Sequence, residues 1–344
     1  MSLAAFHYMP LSYQGLVVES TSRCNARCAM CYQSAGPKGS DQIGDATLTS
    51  DEIKTVVSEA TAIPTLGRRF HLAGGEAFLD IGAAIDLFYE ASKMYYSEIS
   101  TTTNCYWAKD SKKADEVLRK ARKAGLTRME ISWDHWHKPF IHQSAISNAI
   151  RSCFEYGVSA TLRLLTSRSH SVGEALSGFS DEVLETISDI SVCPVFPTGR
   201  AASELPSDEV FNSGKADGSC QSVLNLTVNA LGNVFPCCAG SDQTESLSFG
   251  NIREESIVEI ATRMNQSDLL RALVFLGPEA LLPLVTDVHD STKKYANMCH
   301  LCWTLFSKKQ TAARIKSWFA ENSADFSKAA REACAQLSGE SLVK

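Results

Sequence analysis

The chain has 344 residues, a formal net charge of −6 and 44% hydrophobic residues. This length suits one large domain with an appended unit, or two domains. Because the charge is negative and no long basic run is present, we do not expect a nucleic-acid partner. No apolar segment approaches a membrane span, and the N-terminus lacks the basic start and cleavage site of an export signal. We therefore expect a cytoplasmic protein with no membrane partner.

Strand-like and helical patterns alternate between residues 16 and 200. The strand-like runs are 16–21, 68–74, 97–104, 128–134, 159–167 and 190–197. The amphipathic helical runs are 49–62, 81–95, 112–125 and 143–157. Repeated alternation predicts a parallel sheet covered by helices, either an open doubly wound sheet or a curved partial barrel. In both, the chemistry collects beyond the carboxyl ends of the strands.

The C-terminal part has a different pattern. A polar, turn-rich segment at 203–218 indicates a boundary, and a short β-like run at 224–236 precedes mainly helical sequence. We expect a core at 1–205, a small domain at 206–306 and a helical segment at 307–344, of which 305–337 is clearly amphipathic.

Twelve cysteines are many for a cytoplasmic chain, and clustered cysteines in a reducing compartment more often bind metal or carry chemistry than form disulfides. Cys24, Cys28 and Cys31 share one loop, spaced C-x3-C-x2-C, directly after the first strand-like run. Structural zinc usually has four ligands in two distant pairs. Three thiolates on one short loop instead suit a [4Fe–4S] cluster with one iron left unligated by protein.

A second cysteine set lies in the C-terminal part. Cys220 and Cys237 flank the β-like run, and Cys299 and Cys302 form a C-x2-C pair far downstream. Two ligands from a hairpin and two from such a loop enclose either a cluster or a zinc ion, so both remain open. Cys238, next to Cys237, is best explained as a core residue, with an alternative ligand or a hydrogen-atom donor as other interpretations.

At the strand ends the sequence resembles the radical S-adenosylmethionine (SAM) superfamily. CNARCAMC (24–31) has that family's cluster motif, and Gly74-Gly75-Glu76 resembles its GGE motif, which contacts the methionyl amino group of SAM. Two glycines let backbone approach a ligand closely, and a carboxylate pairs with an ammonium group. Met30 and Ala77 depart from the family, which often has an aromatic residue and a proline there.

Three further segments also match the family. TTTNC (101–105) resembles a Thr-Asn-Gly turn, EISWDHWHKPF (130–140) a Ser-x-Asp segment with a following His, and PVFPTGRA (194–201) a Pro-x-Gly-Arg-Ala turn. The resemblance covers roughly residues 14–202 and implies a partial (β/α)6 barrel of radical SAM type. It implies SAM-binding roles for the following residues: Met30, Tyr32, Gly74, Gly75, Glu76, Thr103, Asn104, Ser132, Arg163 and Arg200.

The tail resembles the opening of a SPASM or twitch domain, because Cys220, Gly232 and Cys237 have its C-x9–15-G-x4-C spacing. Such domains carry auxiliary iron–sulfur clusters. A full SPASM domain has seven cysteines, so the five found here favour the shorter twitch type. The resemblance implies one auxiliary [4Fe–4S] cluster held by Cys220, Cys237, Cys299 and Cys302.

The resemblance also implies the chemistry. The open iron would bind SAM, and an electron from a low-potential reductant such as a flavodoxin or ferredoxin would cleave it to a 5′-deoxyadenosyl radical that abstracts hydrogen from the substrate. The favoured function is oxidative modification, such as crosslinking, of a ribosomally made peptide. Alternatives are radical dehydrogenation, dehydration or epimerisation of a small molecule such as a sugar or aminocyclitol, and a non-catalytic metal-binding scaffold.

Candidate catalytic residues follow the third and fourth strand-like runs. Asp134 is a candidate base or substrate anchor, His137 a candidate in a general-base pocket, and Cys105 a candidate quencher of a substrate radical. The aromatic residues and histidines nearby suggest a substrate platform; these are Tyr106, Trp107, Trp133, His135 and Trp136.

Overall fold

The computed structural model describes residues 11–338, apart from 212–215, 217, 221–223, 239–243, 245 and 286–293. For 326–327 and 329–338 it describes the backbone alone. The strands are β1 Gly15–Glu19, β2 Arg69–Ala73, β3 Glu98–Thr103, β4 Arg128–Ser132, β5 Ser159–Thr166, β6 Asp189–Pro194, β7 Asn225–Val228 and β8 Val234–Phe235. The six strand-like runs of the sequence are thus confirmed, with ends shifted by a few residues.

These strands form one eight-stranded sheet in the order β6-β5-β4-β3-β2-β1-β7-β8. Strands β1 to β6 lie in chain order, and each pairs in parallel with the next. Strand β7 adds in parallel to the other side of β1, and β8 pairs with β7 antiparallel. The sheet therefore continues across the boundary expected at residue 205, and all six carboxyl ends of β1–β6 meet at one edge.

The helices are α1 Ser50–Glu59, α2 Ile81–Lys93, α3 Ser111–Lys123, α4 Gln143–Glu155, α5 Val172–Leu176, α6 Asp181–Glu185, α7 Ala201–Glu204, α8 Ile257–Asn265, α9 Asp268–Phe275, α10 Met298–Phe306 and α11 Lys309–Ser338. Local sequence fixes several ends. Thr49 and Glu52 form a capping box at the start of α1. Gly125 and Gly157 follow α3 and α4 with φ of +111° and +66°, as expected for helix stops.

The C-terminal part packs against the first helix and the N-terminal loop. Arg253 forms an ion pair with Glu52 (Nε–Oε1 2.6 Å), and Tyr13 donates its hydroxyl to Ala261 O across 3.3 Å. No helix within the described residues is long and apolar enough to cross a membrane.

Buried side chains form two apolar clusters. The larger one fills the space between the sheet and the helices, with Leu16, Phe70, Ile99 and Leu162 from the strands. The smaller one lies at the carboxyl edge and consists of Cys24, Ala26, Cys28, Met30, Ala35, Trp136 and Val195. The predicted cluster cysteines are thus set in an apolar environment at the edge where parallel sheets place their chemistry.

Candidate active site

The cysteine loop follows β1 and folds back on itself. Cys24 donates its backbone N–H to Gly36 O (2.9 Å), and Cys31 donates to Cys28 O (3.1 Å). Cys24 and Cys28 are buried, and Cys31 is partly buried. Burial raises the pKa of the Cys24 and Cys31 thiols, so an electropositive metal centre is needed to hold them as thiolates.

Arg200 lies beneath this loop and is 2% exposed. Its guanidinium donates to Cys28 O (2.9 Å), to Ala35 O (2.8 Å) and to Ser34 O, and it pairs with Asp41 (2.8 Å). Its backbone N–H donates to Cys31 O (3.0 Å). These contacts differ from the expectation of a SAM-binding arginine: the described contacts place Arg200 as a clamp that fixes the shape of the cysteine loop.

Two glycines after β2 allow the opposite wall to approach the loop. A Cβ on Gly75 would lie 2.1 Å from Arg23 O, and one on Gly74 would lie 2.8 Å from Thr21 O. Gly74 also has a φ of +139°, where side chains are strained. Any larger residue would clash with the chain just before the cysteine loop, so both glycines are needed for backbone packing here. Their predicted approach to a ligand stays a prediction.

Glu76 is 2% exposed and is held by three donors. Its carboxylate accepts from Thr103 Oγ1 (2.8 Å), Asn104 N (2.8 Å) and Phe78 N (3.0 Å). Burial raises the pKa of this carboxyl group, although the hydrogen bonds oppose the shift. A cationic ligand such as the SAM ammonium group would stabilise its charged form.

Thr103 and Asn104 connect Glu76 to its neighbours. Trp107 Nε1–H donates to Thr103 Oγ1 (3.2 Å). The Asn104 amide nitrogen lies 2.9 Å from Asn25 Oδ1 and 3.6 Å from Cys24 Sγ. Both residues therefore orient Glu76 and the cysteine loop. The weak contact also gives the Sγ atom of Cys24, a predicted cluster ligand, a hydrogen-bond donor.

A cleft opens between these walls. Its lining residues share the carboxyl edge of β1–β4 and are Cys24, Ala26, Cys28, Met30, Cys31, Ala35, Gly74, Gly75, Glu76, Thr102, Thr103, Asn104, Ser132 and His137. The predicted SAM-binding residues Met30, Ser132 and the GGE segment are thus brought together. Three thiols, one carboxylate and closely packed backbone in one cleft fit a site-differentiated cluster with SAM.

Asp134 and His137 form a buried pair after β4. Asp134 Oδ1 accepts from His137 Nδ1 (2.8 Å) and from the backbone N–H groups of Trp136 (3.0 Å) and His137 (3.2 Å). Burial lowers the pKa of His137, but Asp134 and the Cys28 sulfur outweigh it and raise that pKa well above its ordinary value. Asp134 is thus engaged in turn formation and in holding His137, whereas His137 reaches the cleft.

Three expected cavity residues lie elsewhere. Trp133 is 1% exposed and donates Nε1–H to Ala175 O (2.8 Å). Trp107 stacks on Phe78 with ring centroids 5.2 Å apart. Cys105 is fully buried in the main core and has a φ of +58°, in the region that favours the glycine of relatives. These residues satisfy their polar groups in the core, so the described contacts give Cys105 no access to a substrate radical.

A polar network covers the inner face of the sheet. His71 bridges Ser100 Oγ (2.8 Å) and Thr102 Oγ1 (2.9 Å). Arg163 pairs with Glu130 across 2.7 Å. Arg163 is not among the residues that line the cleft, and its role in holding SAM stays a prediction. The side chains that raise the pKa of Arg163 include Tyr32 and Cys238. Cys238 is only partly buried, so it is less enclosed than the core residue that the sequence predicts.

Tyr32 donates its hydroxyl to Glu19 Oε1 (3.1 Å) at the end of β1. Glu19 is 2% exposed. Tyr32 is not among the cleft-lining residues either. Its described contact therefore orients the loop that follows the third cysteine.

The second cysteine set gathers in the C-terminal part. Burial, followed by the sulfurs of Cys237 and Cys220, raises the pKa of Cys299 to about 12, and burial with the same neighbours raises the pKa of Cys302. Yet no three of these four described sulfurs lie within 4.8 Å of one another. Four thiolates on one zinc ion at about 2.3 Å would be about 3.8 Å apart.

One side-chain cluster was missed by sequence reasoning. His135, His170 and Glu174 have potential ligand atoms within 4.8 Å of one another, the sole such set among the described residues. The two rings stack at 3.4 Å, and both Nδ1 atoms contact the Glu174 carboxylate (3.3 and 3.1 Å). Parallel rings do not aim their lone pairs at one point, so this arrangement is a hydrogen-bonded cluster. His170 and Glu174 are four residues apart in the sequence, but no spacing links this pair with His135.

Comparison with known families identifies both parts of the molecule. Residues 18–166 match the model of the Radical SAM superfamily, and residues 220–303 match SPASM, described as an iron–sulfur cluster-binding domain. The chain therefore carries a Radical SAM domain followed by a SPASM domain. It is a radical SAM enzyme whose domains imply SAM and iron–sulfur clusters as cofactors.

The chain is also similar to individual known proteins. YydG of Bacillus subtilis (strain 168), whose name refers to peptide biosynthesis, is 22% identical over 298 residues, covering 84% of this chain and 91% of that protein. The structure of histidine-tagged anSMEcpe with bound AdoMet has a TM-score of 0.52 at 14% identity and covers 92% of this chain and 95% of that one. Native anSMEcpe with bound AdoMet gives 0.52 at 13% identity, with 92% and 99% covered. These structures support the partial-barrel fold.

Proposed function

We propose that this radical SAM enzyme modifies a ribosomally made peptide by abstracting a hydrogen atom from one of its residues. We propose a peptide as the substrate because the chain is similar to YydG over 91% of that protein's length. We propose oxidative modification, such as crosslinking, as the outcome. The C-terminal cysteine set would hold an auxiliary iron–sulfur cluster, and that cluster would accept the substrate's electron.

Different residues of the cleft are proposed to bind the cluster and SAM. Cys24, Cys28 and Cys31 hold a [4Fe–4S] cluster, and Glu76 binds the methionyl ammonium group of SAM. When bound, these cofactors supply a 5′-deoxyadenosyl radical that removes hydrogen from substrate. Arg200 fixes the cysteine loop, and Thr103 with Asn104 fixes the Glu76 carboxylate. The apolar cluster around Met30 and Trp136 excludes water from the site.

The match of residues 220–303 to an iron–sulfur cluster-binding domain supports an auxiliary [4Fe–4S] cluster over zinc at Cys220, Cys237, Cys299 and Cys302. Thiolates are the usual ligands of such clusters. Residues 206–306 are proposed as the domain that carries it, between the core at 1–205 and the helical segment at 307–344. A flavodoxin or ferredoxin is proposed as the electron donor.

A second candidate outcome is epimerisation, which is redox-neutral for the peptide. The observation that favours it is Cys238, a partly buried cysteine near Arg163 on the inner face of the sheet. A thiol there would return a hydrogen atom to the peptide radical after the first hydrogen is removed.

The test uses anaerobically reconstituted protein, SAM, a low-potential reductant and synthetic peptides from the reading frames beside the gene. Peptide-dependent release of 5′-deoxyadenosine with a peptide mass loss of two hydrogens supports oxidation. An unchanged mass in water with uptake of one deuteron in D2O supports epimerisation. If no peptide stimulates 5′-deoxyadenosine release or changes, and a sugar or aminocyclitol does, the peptide proposal fails. The Cys24/Cys28/Cys31→Ala variant is the control.

A further inference from the structure

Strand β6 is the outer strand of the barrel part of the sheet, and no strand among the described residues pairs with its outer side. Four of its six residues are exposed and the other two are partly buried. Ile190 and Val192 are 39% and 47% exposed, although their neighbours in β5, Leu162 and Leu164, are fully covered. The helix that follows β6 has four residues, too few to cover the strand.

The open side of β6 presents backbone groups. Val195 donates its N–H to Thr166 O across 2.8 Å, and the register with β5 is unbroken from Asp189 to Pro194. Because alternate residues of a strand direct their N–H groups to opposite sides, Ser191 and Cys193 face β5 like Val195. The N–H and C=O groups of Ile190 and Val192 therefore point to the open side. Pro194, which has no N–H, also falls on that side, where an edge strand tolerates proline.

This edge leads directly to the active-site cleft. Val195, the residue after β6, is 1% exposed and packs in the small apolar cluster with Cys28 and Met30. A strand advances about 3.3 Å per residue. A chain paired with Val192 therefore reaches the level of Val195 after about three residues, or roughly 10 Å.

The inner face of the edge is also near the auxiliary cysteines. Arg163 lowers the pKa of Cys193, and Cys193 in turn raises the pKa of Cys299, so Cys193 lies near both side chains.

We propose that the open edge of β6 binds the substrate peptide as an added β-strand. This inference rests on the proposed peptide-modifying function and deepens it. Main-chain hydrogen bonds to Ile190 and Val192 supply affinity, and alternate peptide side chains lie beside these two apolar residues on the outer face. The intervening side chains face the barrel interior. An extended segment with apolar residues at every second position is the expected partner, and it precedes or follows the modified residue by a few positions.

The test separates backbone from side-chain recognition. Val192→Pro removes an outward N–H without removing a bond to β5, and Val192→Ala removes the side chain but keeps that N–H. The probe is a phage-displayed library of random 12-residue peptides selected on reconstituted wild-type protein, from which bound peptides are synthesised. We expect Val192→Pro to weaken their binding about tenfold or more, because the bond is lost and the ring obstructs pairing, and Val192→Ala to weaken it a few-fold. Iron content and melting temperature report whether each variant is folded.

If Val192→Pro does not fold, hydrogen exchange on the wild-type protein tests whether peptides pair with the edge of β6. Selected peptides are expected to slow exchange of the Ile190 and Val192 amides. The proposal is overturned if no peptide is selected, if these amides exchange unchanged, or if Val192→Pro binds as well as the wild type. A dimer that Val192→Pro converts to monomer would also overturn it, because the edge would then pair with a second copy. Failure of peptide modification is read separately, from 5′-deoxyadenosine and peptide mass.

Discussion

Arg200→Lys tests whether this side chain shapes the cysteine loop or binds SAM. The Arg200 guanidinium donates hydrogen bonds to the backbone carbonyls of Cys28, Ser34 and Ala35. Arg200 itself is only 2% exposed. A lysine ammonium keeps the charge but lacks the planar fork, so we expect two of these buried carbonyls to lose their donor. At about 1–3 kcal/mol for each unsatisfied group, the variant should lose about 2–6 kcal/mol of local stability.

The assay compares iron loss, thermal unfolding and SAM affinity. Because about 1.4 kcal/mol corresponds to a factor of ten, we expect iron to leave the three-cysteine site at least about tenfold faster in the presence of a chelator. Arg27→Lys is the matched control, since Arg27 pairs with Asp41 on the same loop but its side chain is 47% exposed. That change should cost about 0.5 kcal/mol or less.

The opposite pattern would refute the clamp. If Arg200→Lys kept its iron and its melting temperature but bound SAM at least tenfold more weakly, Arg200 would contact the cofactor as the family resemblance implies. The loop hydrogen bonds would then be secondary.

Three further predictions follow from buried residues. Cys105→Ala should keep peptide modification and lower only the melting temperature, because the thiol lies in the core; loss of product with normal iron content would contradict this. Glu76→Gln should keep its iron but weaken SAM binding roughly a hundredfold, as expected for removal of a buried charged partner; unchanged affinity by calorimetry would be inconsistent with its role. Burial lowers the pKa of His71 in the folded state, with Glu130 opposing and Arg163 adding to the shift. The folded state thus binds fewer protons, so stability is full above about pH 6.5 and falls as the pH drops below it. His71→Gln should flatten this acid-side slope in unfolding curves between about pH 5 and 7, and an unchanged slope would exclude His71 as its source.

Local sequence determined the elements and the cluster loop. Cys24, Cys28 and Cys31 share one short loop, so their spacing alone brings three thiols together. Gly74 and Gly75 were recognisable as a place of close backbone approach because such an approach needs residues without a Cβ, although the described approach is to Thr21 and Arg23. The order of strands and helices was also predictable, because hydrophobic periodicity and helix-end glycines are local signals.

Only the tertiary structure decided what individual polar side chains do. Asp134 and Arg200 have the residue types of a base and a carboxylate binder, but hydrogen-bond partners from their own turn and from a loop far away in sequence occupy them. His170 and Glu174 meet His135 through the arrangement of β4, β5 and α5, which no spacing reveals. The bare edge of β6 depends on the absence of a covering element among the described residues. Sequence thus determined the elements and the chemistry of the cluster loop, and long-range packing decided which groups remain available for ligands, because each buried polar group must be satisfied by whatever the fold brings near it.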